Sequence, residues 1–312
     1  MSVKHIVELL DLLDDPAVNG QTVADYLGSY GAEQVQITTL TGEKGSTDFV
    51  KVKIAGKKGK TTGGNHPTLG IVGRLGGLGA RPERIGFTSD GDGALCAMAT
   101  AAKLAQMHKR GDILNGDVII TTHICPHAPT RPHEPVPFMD SPVTSQECNS
   151  QEVDPAMDAI LCVDTTKGNR IVNVNGFALT PTIKEGYILR TSEKLLSLME
   201  IATGRLPVVL PITQQDITPY GNGIYHINSI LQPSVDTAAP CVGVAITTQT
   251  QVPGCATGAT HLSDVDDAVR FMIEAAKVYG PDQSLFYDAE EYERLLKAYG
   301  SLKHFQTFGE IV

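Results

Sequence analysis

The stretch 68–122, TLGIVGRLGGLGARPERIGFTSDGDGALCAMATAAKLAQMHKRGDILNGDVIITT, alternates strand, helix and strand. Its first apolar run, Thr68 to Val72, fits a buried strand. The run Gly73-Arg74-Leu75-Gly76-Gly77-Leu78-Gly79 leaves that strand. Ser89-Asp90-Gly91-Asp92-Gly93 then opens an Ala-rich helix, Ala94 to Gln106. Val118 to Thr122 is the next strand and ends in His123-Ile124-Cys125-Pro126-His127. Downstream, Ala159 to Val163 is a strand ending in Asp164, and Val242 to Thr247 is another buried strand. Strands alternating with helices predict an α/β fold, a mainly parallel mixed sheet flanked by helices on both faces. In such sheets ligands bind at the carboxyl ends of strands. The residues after Val72, Thr122, Val163 and Thr247 are therefore the candidates for chemistry.

Outward from this core the pattern is regular. Ile6, Leu9, Leu10 and Leu13 have helical spacing over 4–15, and Pro16 and Gly20 punctuate the chain after them. Gln21 to Tyr30 reads as a second helix, and Gln34 to Thr39 and Phe49 to Ile54 read as strands. Ser192 to Thr203 is a predicted helix, and Val208 to Pro211 a predicted short strand. Ser263 to Tyr279 is a predicted helix with Ser263 as its N-cap. The proline-rich segment Pro129 to Pro142 is predicted to be an extended loop, and loops this long inside a compact domain are usually functional. The expectation is one α/β domain over 1–312.

Composition narrows the partners. The net charge is -10, so the chain repels phosphate backbones and nucleic acid is not an expected partner. No stretch approaches the roughly 20 apolar residues that span a bilayer, so no membrane partner is expected. The N-terminus reads as a helix and not as a targeting segment. Six scattered cysteines read as reduced thiols in a cytoplasmic protein.

Several residues carry chemistry at the predicted strand ends. Asp90 opens a helix and is a preferred cap, but Asp92 beside it suggests a cation site, so both readings stand. His123, Cys125 and His127 alternate along an extended segment and can face one point, with ligands suited to zinc. Asp164 ends an apolar strand, where a carboxylate needs a partner or an ion. His261 lies in the loop before the last long helix, and His226 in a Gly-rich turn at 221–226 that suits a pocket wall.

The order of these pieces resembles the co-catalytic zinc aminopeptidases of the tetrahedral and glutamyl type, over most of the chain. Ser89-Asp90-Gly91-Asp92-Gly93-Ala94 is similar to the family's helix start with its metal-bridging Asp. Asp164 matches the next Asp ligand, and Thr260-His261 before Ser263-Asp264-Val265 matches the last His ligand. The departures are as specific. Arg74-Leu75-Gly76 stands where the family has its first His ligand, and Pro126-His127 stands where it has a Glu-Glu pair. The resemblance therefore implies a zinc-exopeptidase-like fold and a divalent metal, zinc foremost, held by Asp90, His127, Asp164 and His261. Asp92 or His123 would be the base, and Arg74 would stand in for the missing ion and hold a substrate carboxylate. The function implied is metal-dependent hydrolysis of an amide or peptide, on a small-molecule or peptide substrate. Two other readings stand beside it: a non-catalytic ligand-binding or regulatory protein on the same scaffold, and a thiol chemistry at Cys125. The resemblance and the proline-rich loop together imply a homo-oligomer.

Overall fold

The computed structural model describes residues 2–80, 84, 86–220, 222–225 and 229–309. It opens with α1 (Ser2–Asp14), α2 (Gly20–Ser29), β1 (Gln34–Gly42), β2 (Gly45–Ile54) and β3 (Leu69–Gly73). Next come α3 (Asp92–Lys109), β4 (Val118–Ile124), β5 (Thr130–Arg131), β6 (Phe138–Met139) and α4 (Ser145–Glu152). β7 (Ala159–Thr165), β8 (Gly176–Leu179), β9 (Ile183–Lys184), β10 (Tyr187–Ile188) and α5 (Glu193–Thr203) follow. The chain closes with β11 (Cys241–Thr247), α6 (Leu262–Tyr279) and α7 (Ala289–Tyr299).

The main sheet runs β1-β2-β4-β3-β7-β11-β9-β10, with β8 also paired to β11. β4, β3, β7 and β11 are parallel, with Ile71 opposite both Ile120 and Leu161, and Val244 opposite Val163. Every residue of β3, β4 and β11 is buried, as an unbroken apolar run in a parallel sheet requires. The remaining pairings are antiparallel, so the sheet is mixed.

Both faces are covered, unequally. Ile71, Ile120, Leu161 and Val244 face the core shared with α1, α2, α3, α5 and α6. Val72, Ile119, Ile160 and Ala245 face a smaller core closed by irregular chain, with Ile217, Ile230 and Leu231 among its residues. α3 lies hard against the β3 exit. A Cβ at Gly93 would meet the Arg74 carbonyl oxygen at 1.8 Å, and one at Gly73 would meet the Gly93 oxygen at 2.5 Å. Glycine at both positions is what lets the start of α3 sit at the end of the central strand.

Four details differ from the sequence expectation. The segment 129–142 is not wholly a loop, because β5 and β6 pair in it, Thr130 opposite Met139. At 208–211 there is a single bridge, Val209 to Leu179, and no strand. α6 begins at Leu262, so His261 and not Ser263 is its cap residue. α4 and α7 were not anticipated. Among the described residues, no helix is long and apolar enough to cross a membrane.

Candidate active site

The carboxyl ends of β3, β7 and β11 gather most of the buried polar side chains that carry charge. Arg74 extends β3 by one residue, its N–H donating to the Val163 oxygen at 2.8 Å. The register Gly73 to Val163 thereby sets Arg74 beside Asp164.

Arg74 is fully buried. Its Nε lies 2.6 Å from Glu152 Oε2 as an ion pair. Its guanidinium also donates to Asn149 Oδ1, and to Gln232 Oε1 at 3.2 Å. Glu152 is the last residue of α4, and its other oxygen lies 2.8 Å from His123 Nδ1. Nε2 of His123 accepts the Gly76 N–H at 3.0 Å. An acceptor at Nε2 leaves the ring proton on Nδ1, so His123 is neutral and donates to Glu152. Burial raises the Glu152 pKa, but the Arg74 charge and the His123 hydrogen bond prevail and hold it below the usual carboxylate range. Positive and negative charge cancel in this cluster.

A second buried pair sits nearby. Lys167 Nζ donates to Asp92 Oδ2 at 2.7 Å, and Thr260 Oγ1 donates to Asp92 Oδ1 at 2.6 Å. Burial raises the Asp92 pKa, and Lys167 offsets part of that.

Asp90 and Asp164 differ from both. Each is buried, and among the described residues neither has a cation in an ion pair. Burial pushes the Asp90 carboxyl up to about 6. Burial and then the charge of Asp90 push Asp164 well above its ordinary value. Asp164 Oδ2 accepts from Ser229 Oγ at 2.8 Å, and Oδ1 from the Thr165 N–H at 2.7 Å. The Cys255 thiol borders Asp90, and burial together with that carboxylate raises its pKa. The Tyr220 phenol is raised by burial and then by the charges of Asp164 and Asp90, so it faces the same pair.

The expected metal quartet does not assemble. Asp90 and Asp164 come together, but His127 is exposed in the turn after β4, beyond the straight strand that would have aimed it inward. His261 is half-exposed, and its Nδ1 lies 3.2 Å from Asp264, held by its place at the start of α6. Among the described residues, no group of three or more His, Cys, Asp or Glu side chains is arranged to hold an ion. The described residues therefore do not form the divalent-metal site of Asp90, His127, Asp164 and His261 that the resemblance implies. His226 lies outside the described residues.

The expected helpers are placed differently as well. Arg74 is fully buried and its charge is already paired with Glu152, so it is not placed to hold a substrate carboxylate. His123 has both nitrogens engaged, and Asp92 has both oxygens engaged, so neither is free to take a proton from water. Cys125 is buried, its thiol pushed up to about 11 by burial, which works against a thiolate.

Sequence reasoning missed Glu152, Asn149, Lys167, Ser229 and Gln232. One signal was present for the first two. Thr144 and Glu147 form a capping box that starts α4, and Asn149 and Glu152 then share one face of it.

Fold and site together define an α/β protein with a buried polar centre at the carboxyl ends of its parallel strands. The chain belongs to the DUF1177 family, described as "Protein of unknown function", whose model matches residues 38–309. No curated protein matches its sequence. Among solved structures it is similar to "Bottromycin maturation enzyme BotP". The TM-score is 0.51 and the identity 14%, over 88% of this chain and 70% of that one. At that identity the likeness is one of fold alone.

Proposed function

We propose that the chain is an amide or peptide hydrolase whose reacting centre is the carboxyl pair Asp90 and Asp164. The observation that carries this reading is the contrast in charge compensation. Two neighbouring carboxyls, Asp164 at the end of β7 and Asp90 in the turn before α3, are buried without a paired cation among the described residues, while Glu152 and Asp92 close by are both paired. Burying unpaired acids is costly, and such shifted pairs are found where acid–base chemistry is done.

The roles follow from the two pKa directions. With its carboxyl near 6, Asp90 is mostly ionised at neutral pH and accepts a proton from a water molecule. Asp164, which burial and the charge of Asp90 push well above its ordinary value, is the proposed acid and donates to the substrate carbonyl oxygen or the leaving amine. Ser229 and the Thr165 N–H fix its orientation. No step here is routed through a metal, because the ligand set for one is incomplete among the described residues. The fold it shares with a maturation enzyme agrees with an enzymatic role and goes no further.

The substrate class proposed is a small molecule or a short peptide, since the centre is enclosed at strand ends. The cytoplasm is the proposed location, on the grounds that all six cysteines are free. Self-association belongs to the same proposal; light scattering tests it, and a mass of 33.3 kDa would contradict it.

The test is a panel of aminoacyl p-nitroanilides, dipeptides and N-acyl amino acids, assayed with and without chelator. Turnover that survives chelation and disappears in both Asp90→Asn and Asp164→Asn supports the reading. Binding of panel members without turnover in the parent protein favours a ligand-binding protein instead.

A further inference from the structure

The two edges of the main sheet are finished differently. One ends in β9 and β10, two residues each, with Lys184 in β9 and with Tyr187 of β10 edge-on against Tyr292 of α7. Short strands, a lysine and a covering helix are what keep an edge from pairing with another chain. The other edge is β1, nine residues that read Gln34-Val35-Gln36-Ile37-Thr38-Thr39-Leu40-Thr41-Gly42. It has no charged residue and no proline. All nine residues pair with β2 on one side, and among the described residues no other backbone group bonds to β1. In an antiparallel ladder alternate residues aim N–H and C=O at the partner strand, so the remaining residues of β1 aim theirs outward.

The strand is also held in place. Asp48 of β2 accepts from Thr39 Oγ1 at 2.7 Å and from the Gly20 N–H, at the start of α2, at 2.8 Å. A Cβ on Gly20 would meet Ile37 Cγ2 at 2.8 Å, so α2 lies directly on the β1 side chains. Val35 packs at the margin of the larger core, and both Val35 and Ile37 are only half-buried. A fixed strand with outward backbone groups and apolar side chains of incomplete burial is a template for one more strand.

We propose that β1 pairs edge to edge with β1 of a second copy of the chain, antiparallel across a two-fold axis, so that the sheet continues from one copy into the other. The proposal names the surface for the self-association put forward above and rests on it. Charge and symmetry select a second copy as the occupant. At a net charge of -10 two copies repel, and β1 is a strip that brings no like charges of its own together. A two-fold axis perpendicular to the sheet keeps each face of the sheet on the same side in both copies. Val35 and Ile37 therefore meet their counterparts on the face that carries α2, and their burial is completed there. A strand that selects a charged peptide carries complementary charge, and β1 has none.

Light scattering reads the mass, and hydrogen exchange followed by NMR reads the seam. We expect twice 33.3 kDa for the parent, with amides throughout 34–42 exchanging slowly. Dilution to the single-chain mass should return alternate amides to fast exchange, while those bonded to β2 stay slow. Thr39 is exposed, so Thr39→Lys and Thr39→Glu should both fold, which circular dichroism checks. Each variant alone should give 33.3 kDa, because like charges meet across the seam, and an equimolar mixture of the two should return to twice that mass. A parent of twice the single-chain mass whose alternate β1 amides exchange fast would overturn the seam and leave self-association to another surface. Folded single variants that still associate would do the same. A single-chain mass for the parent at every concentration would overturn both, leaving this edge to a strand of another protein.

Discussion

Two regions of the same sheet edge handle buried charge in opposite ways. Around Arg74, the guanidinium is paired with Glu152, which also holds His123, and it donates to Asn149 and Gln232. One strand away, Asp90 and Asp164 are also buried and, among the described residues, have no paired cation. The first arrangement is what a protein does to keep charge in its core at tolerable cost. The second lowers stability and is maintained nonetheless. That difference is what sets the proposed reacting pair apart from the scaffold.

The comparison can be broken most sharply by activity. Asp90→Asn and Asp164→Asn should each lower kcat by about 100-fold or more on any substrate the panel identifies, as loss of an acid or base does. Steady-state kinetics at pH 7 check this, and near-parental rates in either variant would move the reaction elsewhere.

The next effect falls on stability, on the compensated side. Arg74→Met strands Glu152 as a buried charge and should destabilise by about 3–5 kcal/mol in urea unfolding. Arg74→Met with Glu152→Gln should recover a large part of that loss. If the single variant is as stable as the parent, the cluster is not paired as described.

Asp90→Asn should go the other way. The Asp90 pKa is raised by folding, from 3.8 to about 6. A raised acid favours the folded state while protonated, and that contribution is lost as pH rises through about 6. The variant should therefore match the parent near pH 4 and exceed it at pH 7.5, by on the order of 3 kcal/mol at 1.36 kcal/mol per unit. A parent that is the more stable of the two at pH 7.5 would show that Asp90 is compensated after all.

The smallest effect expected is that of chelation. EDTA should leave Tm and turnover within error, since His127 and His261 do not join Asp90 and Asp164. A fall of several degrees would restore the metal to the site.

Much of the fold was legible because periodicity reports burial. The apolar runs at 68–72, 118–122, 159–163 and 242–247 became the four parallel strands. Topology pointed to the carboxyl ends of the strands, and of the four residues expected to converge there Asp90 and Asp164 lie together. The ligand set was not legible, because spacing in sequence does not give direction in space. His127 follows Pro126 into a turn after β4 ends at Ile124, so the alternation that seemed to aim it inward stops before it. Arg74 was marked as special by its place at the end of a buried strand, but its partner lay 78 positions on, in a helix of mean polar character (Ser145 to Glu152) that apolar periodicity cannot reveal. Lys167 carries no local signal, since its left-handed backbone is set by the Ile246 oxygen of another strand.

The central claim is that burial raises both carboxyls above the ordinary aspartate range. Carbon-13 NMR of the parent protein, labelled at aspartate and assigned with Asp90→Asn and Asp164→Asn, reads this directly. The account predicts one carboxyl titrating near pH 6, assigned to Asp90, and a second, Asp164, titrating well above the ordinary aspartate range. Two ordinary midpoints near 4, with both carboxyls ionised at pH 7, would contradict it.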